Sequence, residues 1–331
     1  MNFDQLFADF NKSNVLIVGD VMLDTYWWGQ VDRISPEAPV PIVALNKKEL
    51  RVGGAANVAL NTASLGASTA IISVIGKDAD GDQLLLMLNE NNIDVANIIS
   101  SPQRVTTNKM RVMSRNQQMM RLDAEITSDI NAELEDQLIN TILDYIEAKN
   151  PHVLIFEDYN KGVLTKKVIE AVTTICIEKN IITAVDPKRK NFLAYKNVTL
   201  FKPNLKEVKE GLHLLIDQIN LPNLNAIHLA LQKELNHRIS FITLSEKGVF
   251  YQNDDEMAII PTHIRNIADV SGAGDTVIAV ATLVYATTQN MLLAAEIANI
   301  AGGLVCEEVG TAAINKQKLL AECNLLLSEK V

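Results

Sequence analysis

Val15-Leu16-Ile17-Val18-Gly19 is an unbroken apolar run closed by Gly19-Asp20. A strand apolar on both faces belongs inside a parallel sheet with helices above and below it. Runs of the same kind recur outward from it, at Ala70-Ile71-Ile72-Ser73-Val74-Ile75-Gly76 and over residues 153–156, 183–186, 198–201 and 240–244. Helical patterns stand between some of them, around 81–91 and 165–179. This alternation predicts an α/β fold, a doubly wound sheet flanked by helices.

Two segments read differently. Residues 40–45 are punctuated by Pro39 and Pro41, and 106–113 are polar and β-prone, so both suit edge or exposed strands. They predict a small β-strand lid, inserted near 40–46 and 104–122, beside the main sheet. Between them Gly53-Gly54-Ala55-Ala56-Asn57 opens a helix of very small side chains, which lets backbone or ligand approach closely. The chain has 331 residues without an evident linker, repeat or low-complexity tract, and reads as one domain over 1–331.

Hydrophobic residues make up 48% and charged residues 21%, enough apolar material for a real core. Lys and Arg number 30 against 40 Asp and Glu, a net charge of −10, the wrong sign for a surface that tracks nucleic acid or anionic lipid. An anionic substrate must then meet local cations. Cys176, Cys306 and Cys323 fit neither a disulfide framework nor a zinc site. Asp4 and Asp9 stand where a signal peptide would be basic, and no apolar run approaches the ~20 residues of a membrane span, so the expected location is cytoplasmic.

The sharpest local signal is Asp269-Val270-Ser271-Gly272-Ala273-Gly274-Asp275-Thr276, running into Val277-Ile278-Ala279-Val280-Ala281. Two glycines at a helix start leave convergent N–H groups, the arrangement an anion needs. Asp275 is then placed to take a proton from a hydroxyl attacking that anion. A capped helix with Asp275 offsetting the dipole explains the same residues, and this segment alone weighs the two readings equally. The Rossmann fingerprint fails at Val277, and GxxxxGK[ST] is absent. In Lys202-Pro203-Asn204-Leu205-Lys206-Glu207, Asn204 and Glu207 form a capping box, or offer oxygens to waters around a hard divalent cation.

In this order the Gly-Gly, Asn-x-x-Glu and Gly-Ala-Gly-Asp segments resemble the ribokinase-like (PfkB) family of sugar kinases. Gly19-Asp20-Val21-Met22-Leu23-Asp24, Arg33-Ile34-Ser35-Pro36-Glu37-Ala38-Pro39-Val40-Pro41, Arg51-Val52-Gly53-Gly54-Ala55-Ala56-Asn57 and Asp158-Tyr159-Asn160-Lys161-Gly162 resemble, more narrowly, its D-glycero-β-D-manno-heptose 7-phosphate kinase branch. The resemblance runs from Val15 to about Thr311. It implies ATP-dependent phosphorylation of that sugar at the anomeric O1, giving the 1,7-bisphosphate, a step toward lipopolysaccharide core precursors. In this branch a C-terminal nucleotidyltransferase is often fused on; with the chain ending at Val331, the expectation is the kinase alone.

Residue by residue, the resemblance makes Asp275 the base and the backbone of Gly272, Ala273 and Gly274 the anion hole. Ser271 stands where Thr is common, which keeps the hydroxyl. ATP would lie along Asn204, Leu205, Lys206 and Glu207, with Asn204 and Glu207 ordering Mg²⁺ through water. Thr243, Ser245, Glu246 and Gly248 would flank the nucleotide, Asn299 the adenine, and a monovalent cation is implied near Asp269. Asp24, Gly53, Gly54 and Asn57 would engage sugar hydroxyls, with Asp158 and Asp186 on the substrate side. The cations for a sugar phosphate are sought among Arg104, Lys109, Arg111, Arg115, Lys161 and Lys188, most of them expected in solvent. A homodimer through the lid is also implied. The rival readings are a kinase of this family for another sugar phosphate or nucleoside, and a catalytically silent sugar- or nucleotide-binding regulator.

Overall fold

The computed structural model describes residues 2–115, 117–215 and 218–327. Asn14–Gly19 lies inside an eight-stranded sheet, as its two apolar faces require. From one edge to the other the order is Ser68–Ile72, Asn14–Gly19, Val153–Glu157, Ile182–Asp186, Leu200–Phe201, Ile239–Thr243, Val249–Gln252 and Met257–Ile260. The first six run parallel, and the last two are joined by antiparallel pairings, so only Val249–Gln252 runs against the rest.

Val15 and Ile17 enter one core and Leu16 and Val18 the other, the period-two alternation of a strand covered on both sides. Ala132–Lys149, Lys166–Glu178 and Leu221–Leu235 pack on one face. Ala55–Ser64, Ala273–Thr288 and Met291–Val305 pack on the other. Ala273–Thr288 is apolar nearly all round after its first turn, and is accordingly a buried helix.

The expected strand over 70–76 is broken at Ser73. Ser68–Ile72 stays in the main sheet, while Val74–Gly76 leaves to pair with Ile99–Ser101. The buried Ser73 hydroxyl donates to the Gly19 carbonyl at 2.6 Å, so its polar side chain is satisfied at the break.

A second sheet orders Pro41–Gly54, Val21–Ile34, Thr107–Ser114 and Gln117–Ala124. Val21–Ile34 begins directly after Asp20. Asp20 makes that turn possible: its carboxylate accepts the amides of Tyr159, Lys161 and Val163 at 2.8, 3.0 and 3.2 Å. The chain returns through Gly54 at φ +58°, where a Cβ would lie 2.5 Å from the Asp20 carbonyl oxygen. Only glycine fits so close an approach in that backbone conformation.

Candidate active site

Asp275 lies in the first turn of Ala273–Thr288, behind Gly272 at φ +78°. A Cβ on Gly272 would lie 2.8 Å from Asn57 Nδ2, so glycine supplies both the turn and the closeness. The Ala273 amide donates to the Val270 carbonyl at 3.3 Å, a long bond outside the helix; first-turn amides have no partner within a helix and can turn to an arriving anion. Asp275 itself is 2% exposed. Asn57 Nδ2 donates to its Oδ2 at 2.8 Å, and the Tyr159 hydroxyl donates to its Oδ1 at 2.7 Å. Burial pushes Asp275 up to about 6, against the two hydrogen bonds that hold it down. A carboxylate tuned near neutrality and fixed by two donors is suited to accept a proton.

Behind Asp275 stands a group of acids and lysines. Oxygens of Glu157, Asp186 and Asp275 all lie within 4.8 Å of one another. Lys202, 2% exposed, pairs with Asp186 Oδ2 at 2.8 Å. Lys188 pairs with Asp186 Oδ1 at 2.8 Å and with Glu207 Oε1 at 2.9 Å. These lysines outweigh burial and hold Asp186 below the usual carboxylate range. Glu157 is different: it is 0% exposed and neither oxygen has a hydrogen-bond partner. Burial, then Asp186 and Asp275, hold its carboxyl well above the usual range. This all-oxygen donor set with an orphaned buried carboxyl fits a hard divalent cation such as Mg²⁺.

Asn204 and Glu207 form the capping box in full. Asn204 Oδ1 accepts Glu207 N at 2.9 Å, and Glu207 Oε2 accepts Asn204 N at 2.7 Å. With Lys188 on its other oxygen, the Glu207 carboxylate is engaged on both sides. Leu205 is half-buried against one core, and Lys206 is exposed with Glu210 3.9 Å away. Thr243 bridges to Asn204, so the 243–248 turn adjoins that helix start; Ser245 and Glu246 are exposed and Gly248 buried. Asn299 is buried and donates to the Pro261 carbonyl at 2.7 Å. Asp269 accepts Ser271 N, Ser271 Oγ and Gly310 N at 3.0, 2.9 and 2.8 Å, which holds it below its ordinary value despite partial burial.

On the lid, Asp24 is a strand residue, 3% exposed, whose carboxylate pairs with Arg111. A Cβ on Gly53 would lie 2.5 Å from Asp24 Oδ2, so Gly53 leaves that carboxylate uncovered. The cations expected in solvent are mostly engaged. Arg104 donates to the Ser128, Ile126 and Lys161 carbonyls; Lys161 pairs with Glu125 at 2.7 Å; only Arg115 of the six is exposed. Asp158 accepts Tyr195 OH at 2.7 Å and Asn191 Nδ2 at 3.0 Å, and holds the loop rather than opening toward Asp275. Sequence reading did not single out Glu157, Tyr159 or Lys202. Tyr159 and Lys202 lay inside stretches already marked, whereas Glu157 ends an apolar run and carries no motif.

A helix start at Gly272 with a buried carboxylate in its first turn, and a second sheet carrying the buried Asp24, make an arrangement whose chemistry suits phosphoryl transfer to a hydroxyl. The model of the "pfkB family carbohydrate kinase" matches residues 12–318, and the chain belongs to that family, a family of sugar kinases. It is 39% identical over 304 residues to the bifunctional protein HldE of Campylobacter curvus, covering 92% of this chain and 64% of that protein. It is 36% identical over 321 residues to HldE of Geobacter metallireducens, 96% of this chain and 64% of that one. The chain thus spans just under two thirds of these relatives. Phosphofructokinase-2 from Escherichia coli, in complex with potassium, superposes with a TM-score of 0.76 at 19% identity, covering 94% of this chain and 98% of its own. Ribokinase of Arabidopsis thaliana, complexed with ribose and ATP, gives 0.72 at 13% identity over 93% and 98%. These two establish the fold.

Proposed function

We propose that this chain phosphorylates D-glycero-β-D-manno-heptose 7-phosphate at the anomeric O1, using ATP, to give the 1,7-bisphosphate on the way to lipopolysaccharide core precursors. The observation that carries the reading is Asp275: a buried carboxylate beside the Gly272–Gly274 hole, held by Asn57 and Tyr159. Asp275 takes the proton as O1 attacks the γ-phosphorus. The bond to the β-bridging oxygen breaks and ADP leaves with the electron pair, while the first-turn amides receive the charge on the phosphoryl oxygens. Mg²⁺ would be held by Glu157 and Asp186 directly or by Asn204 and Glu207 through water, and would supply neutralisation of the phosphate charge. Asp24 and Asn57 orient sugar hydroxyls, and Gly53 and Gly54 let the ring lie against backbone. The choice of sugar rests on the branch-specific stretches around Asp24, Pro36, Gly53 and Tyr159, and the HldE relatives support it.

The same reading takes 1–331 as one kinase domain, cytoplasmic, with ATP along Asn204–Glu207 and 243–248. A monovalent cation beside Asp269 belongs to it. So does a homodimer through the outer lid face, where Ile34, Leu45, Met120 and Leu122 are exposed. Among the described residues no helix is long and apolar enough to cross a membrane. The test is ³¹P NMR of the product formed from ATP and the heptose 7-phosphate. A second phosphorus signal coupled to the anomeric proton is expected. Phosphate on any other oxygen, or ATP consumption without a sugar product, would reject the reading.

A further inference from the structure

The sugar side of the site holds more cations than it uses. Asp24 is committed to Arg111 and Glu125 to Lys161. Arg104 is committed to three carbonyls and Lys188 to Asp186 and Glu207. That leaves Lys109. Among the described residues no carboxylate oxygen lies within ion-pair distance of its ammonium, and its near neighbour is the face of the Tyr159 ring, 5.3 Å from the centroid. Lys109 stands opposite Asp24 in the strand register, and Arg111 follows two residues later on the same face.

Lys109 is half-buried. Burial lowers its proton affinity; Asp24 and Glu125 offset this in part, while Lys161 and Arg111 add to it. A partly desolvated ammonium among two other cations is unfavourable until an anion joins it. We infer that Lys109, flanked by Arg111 and Lys161, is the residue that receives the distal phosphate of the sugar substrate. The inference rests on the proposed function and deepens it, because it selects one cation from six candidates.

Tyr159 gives the geometry. Its hydroxyl sits on Asp275 and its ring beneath Lys109, so the base and the surplus cation are about one tyrosine side chain apart. A sugar monophosphate laid along that ring puts its acceptor hydroxyl at one end and a terminal phosphate at the other. The ligand class is a dianionic sugar phosphate whose phosphate lies far from the hydroxyl that reacts. Charge-assisted hydrogen bonds of this kind are the stronger ones.

The experiment compares wild type, Lys109→Met, Lys161→Met and Arg104→Met, with Met keeping much of the stem that lies on Tyr159. KM is measured for heptose 7-phosphate and for the same heptose without phosphate. Lys109→Met should raise KM for the phosphorylated sugar roughly 10–100-fold and shift the other far less. In parallel, inorganic phosphate is titrated into each protein saturated with a non-hydrolysable ATP analogue, which fills the hole at Gly272. Lys109→Met should lose this binding. If wild type uses both sugars equally yet Lys109→Met loses phosphate binding, the heptose reading falls and the site stands. If Lys109→Met binds phosphate like wild type, or if only Lys161→Met or Arg104→Met carries the phosphate-specific effect, the inference is overturned.

Discussion

The floor of the cleft and its lid side are opposite in charge balance. On the floor, Glu157, Asp186, Glu207 and Asp275 surround Lys188 and Lys202, so acids outnumber cations. On the lid side, Lys109, Arg111 and Lys161 surround Asp24 and Glu125, so cations outnumber acids. On the proposed function, each half is incomplete in the way its ligand would correct: the floor for a metal ion carried with ATP, the lid for a sugar phosphate. Under that proposal an acidic protein takes two anionic substrates without long-range attraction, because the complementarity is local. The imbalance also has a cost: burial, reinforced by neighbouring like charges, raises the proton affinity of Glu157 on the floor and lowers that of Lys109 on the lid.

The sharpest break in this comparison is Asp275→Asn. It removes the proton acceptor while keeping the size, and turnover should fall about 10²–10⁴-fold with ATP binding largely retained. Steady-state kinetics keeping more than a tenth of wild-type kcat would take Asp275 out of the mechanism. Next in size, Lys202→Met strips Asp186 of its most buried partner. Breaking such a pair typically costs about 3–5 kcal/mol, so the urea midpoint should drop sharply. A loss below about 1 kcal/mol would mean that Lys188 alone balances the floor.

The pH dependence follows from the raised acids. Asp275 moves from the ordinary 3.8 to about 6 in the folded protein, which therefore binds that proton more tightly than the unfolded chain. Its contribution is fully present below the ordinary carboxylate range and is lost as pH rises through about 6, on the order of 3 kcal/mol. Metal-free wild type should lose stability across that window, with Glu157 adding in the same direction, and Asp275→Asn should flatten the curve. Denaturant titrations from pH 4 to 8 that superpose for the two proteins would remove the acid strain from the account. The smallest effect is at the capping box. Glu207→Ala should cost about 1 kcal/mol of stability and raise the Mg²⁺ needed for half-maximal rate; an unchanged Mg²⁺ titration would leave Glu207 only its cap and ion pair.

The two sides also differ in how far they could be read from sequence. Gly272 to Asp275 is one contiguous segment whose chemistry is local, and its neighbours in the chain already imply a helix start. The partners of Asp275 come from Asn57 and Tyr159, 218 and 116 residues away, a distance no local pattern spans. Glu157 was hidden because it terminates an apolar strand, and its strain exists only once Asp186 and Asp275 converge on it. On the lid, the edge-like strands at 40–45 and 106–113 were visible, yet Val21–Ile34, the strand between them in the lid sheet, carries no comparable signal and was not marked. The cations were visible as residue types. Which one remains unpaired depends on Asp24, Glu125 and three carbonyls that only the fold brings to them.

The most direct test of the account is the ratio of kcat/KM for D-glycero-β-D-manno-heptose 7-phosphate to that for the unphosphorylated heptose, measured by ADP release with ribose and fructose 6-phosphate alongside. A ratio of roughly 10 or more, with heptose 7-phosphate the best of the four, is the predicted result. Equal use of the two heptoses, or a better rate with another sugar in the panel, would contradict it.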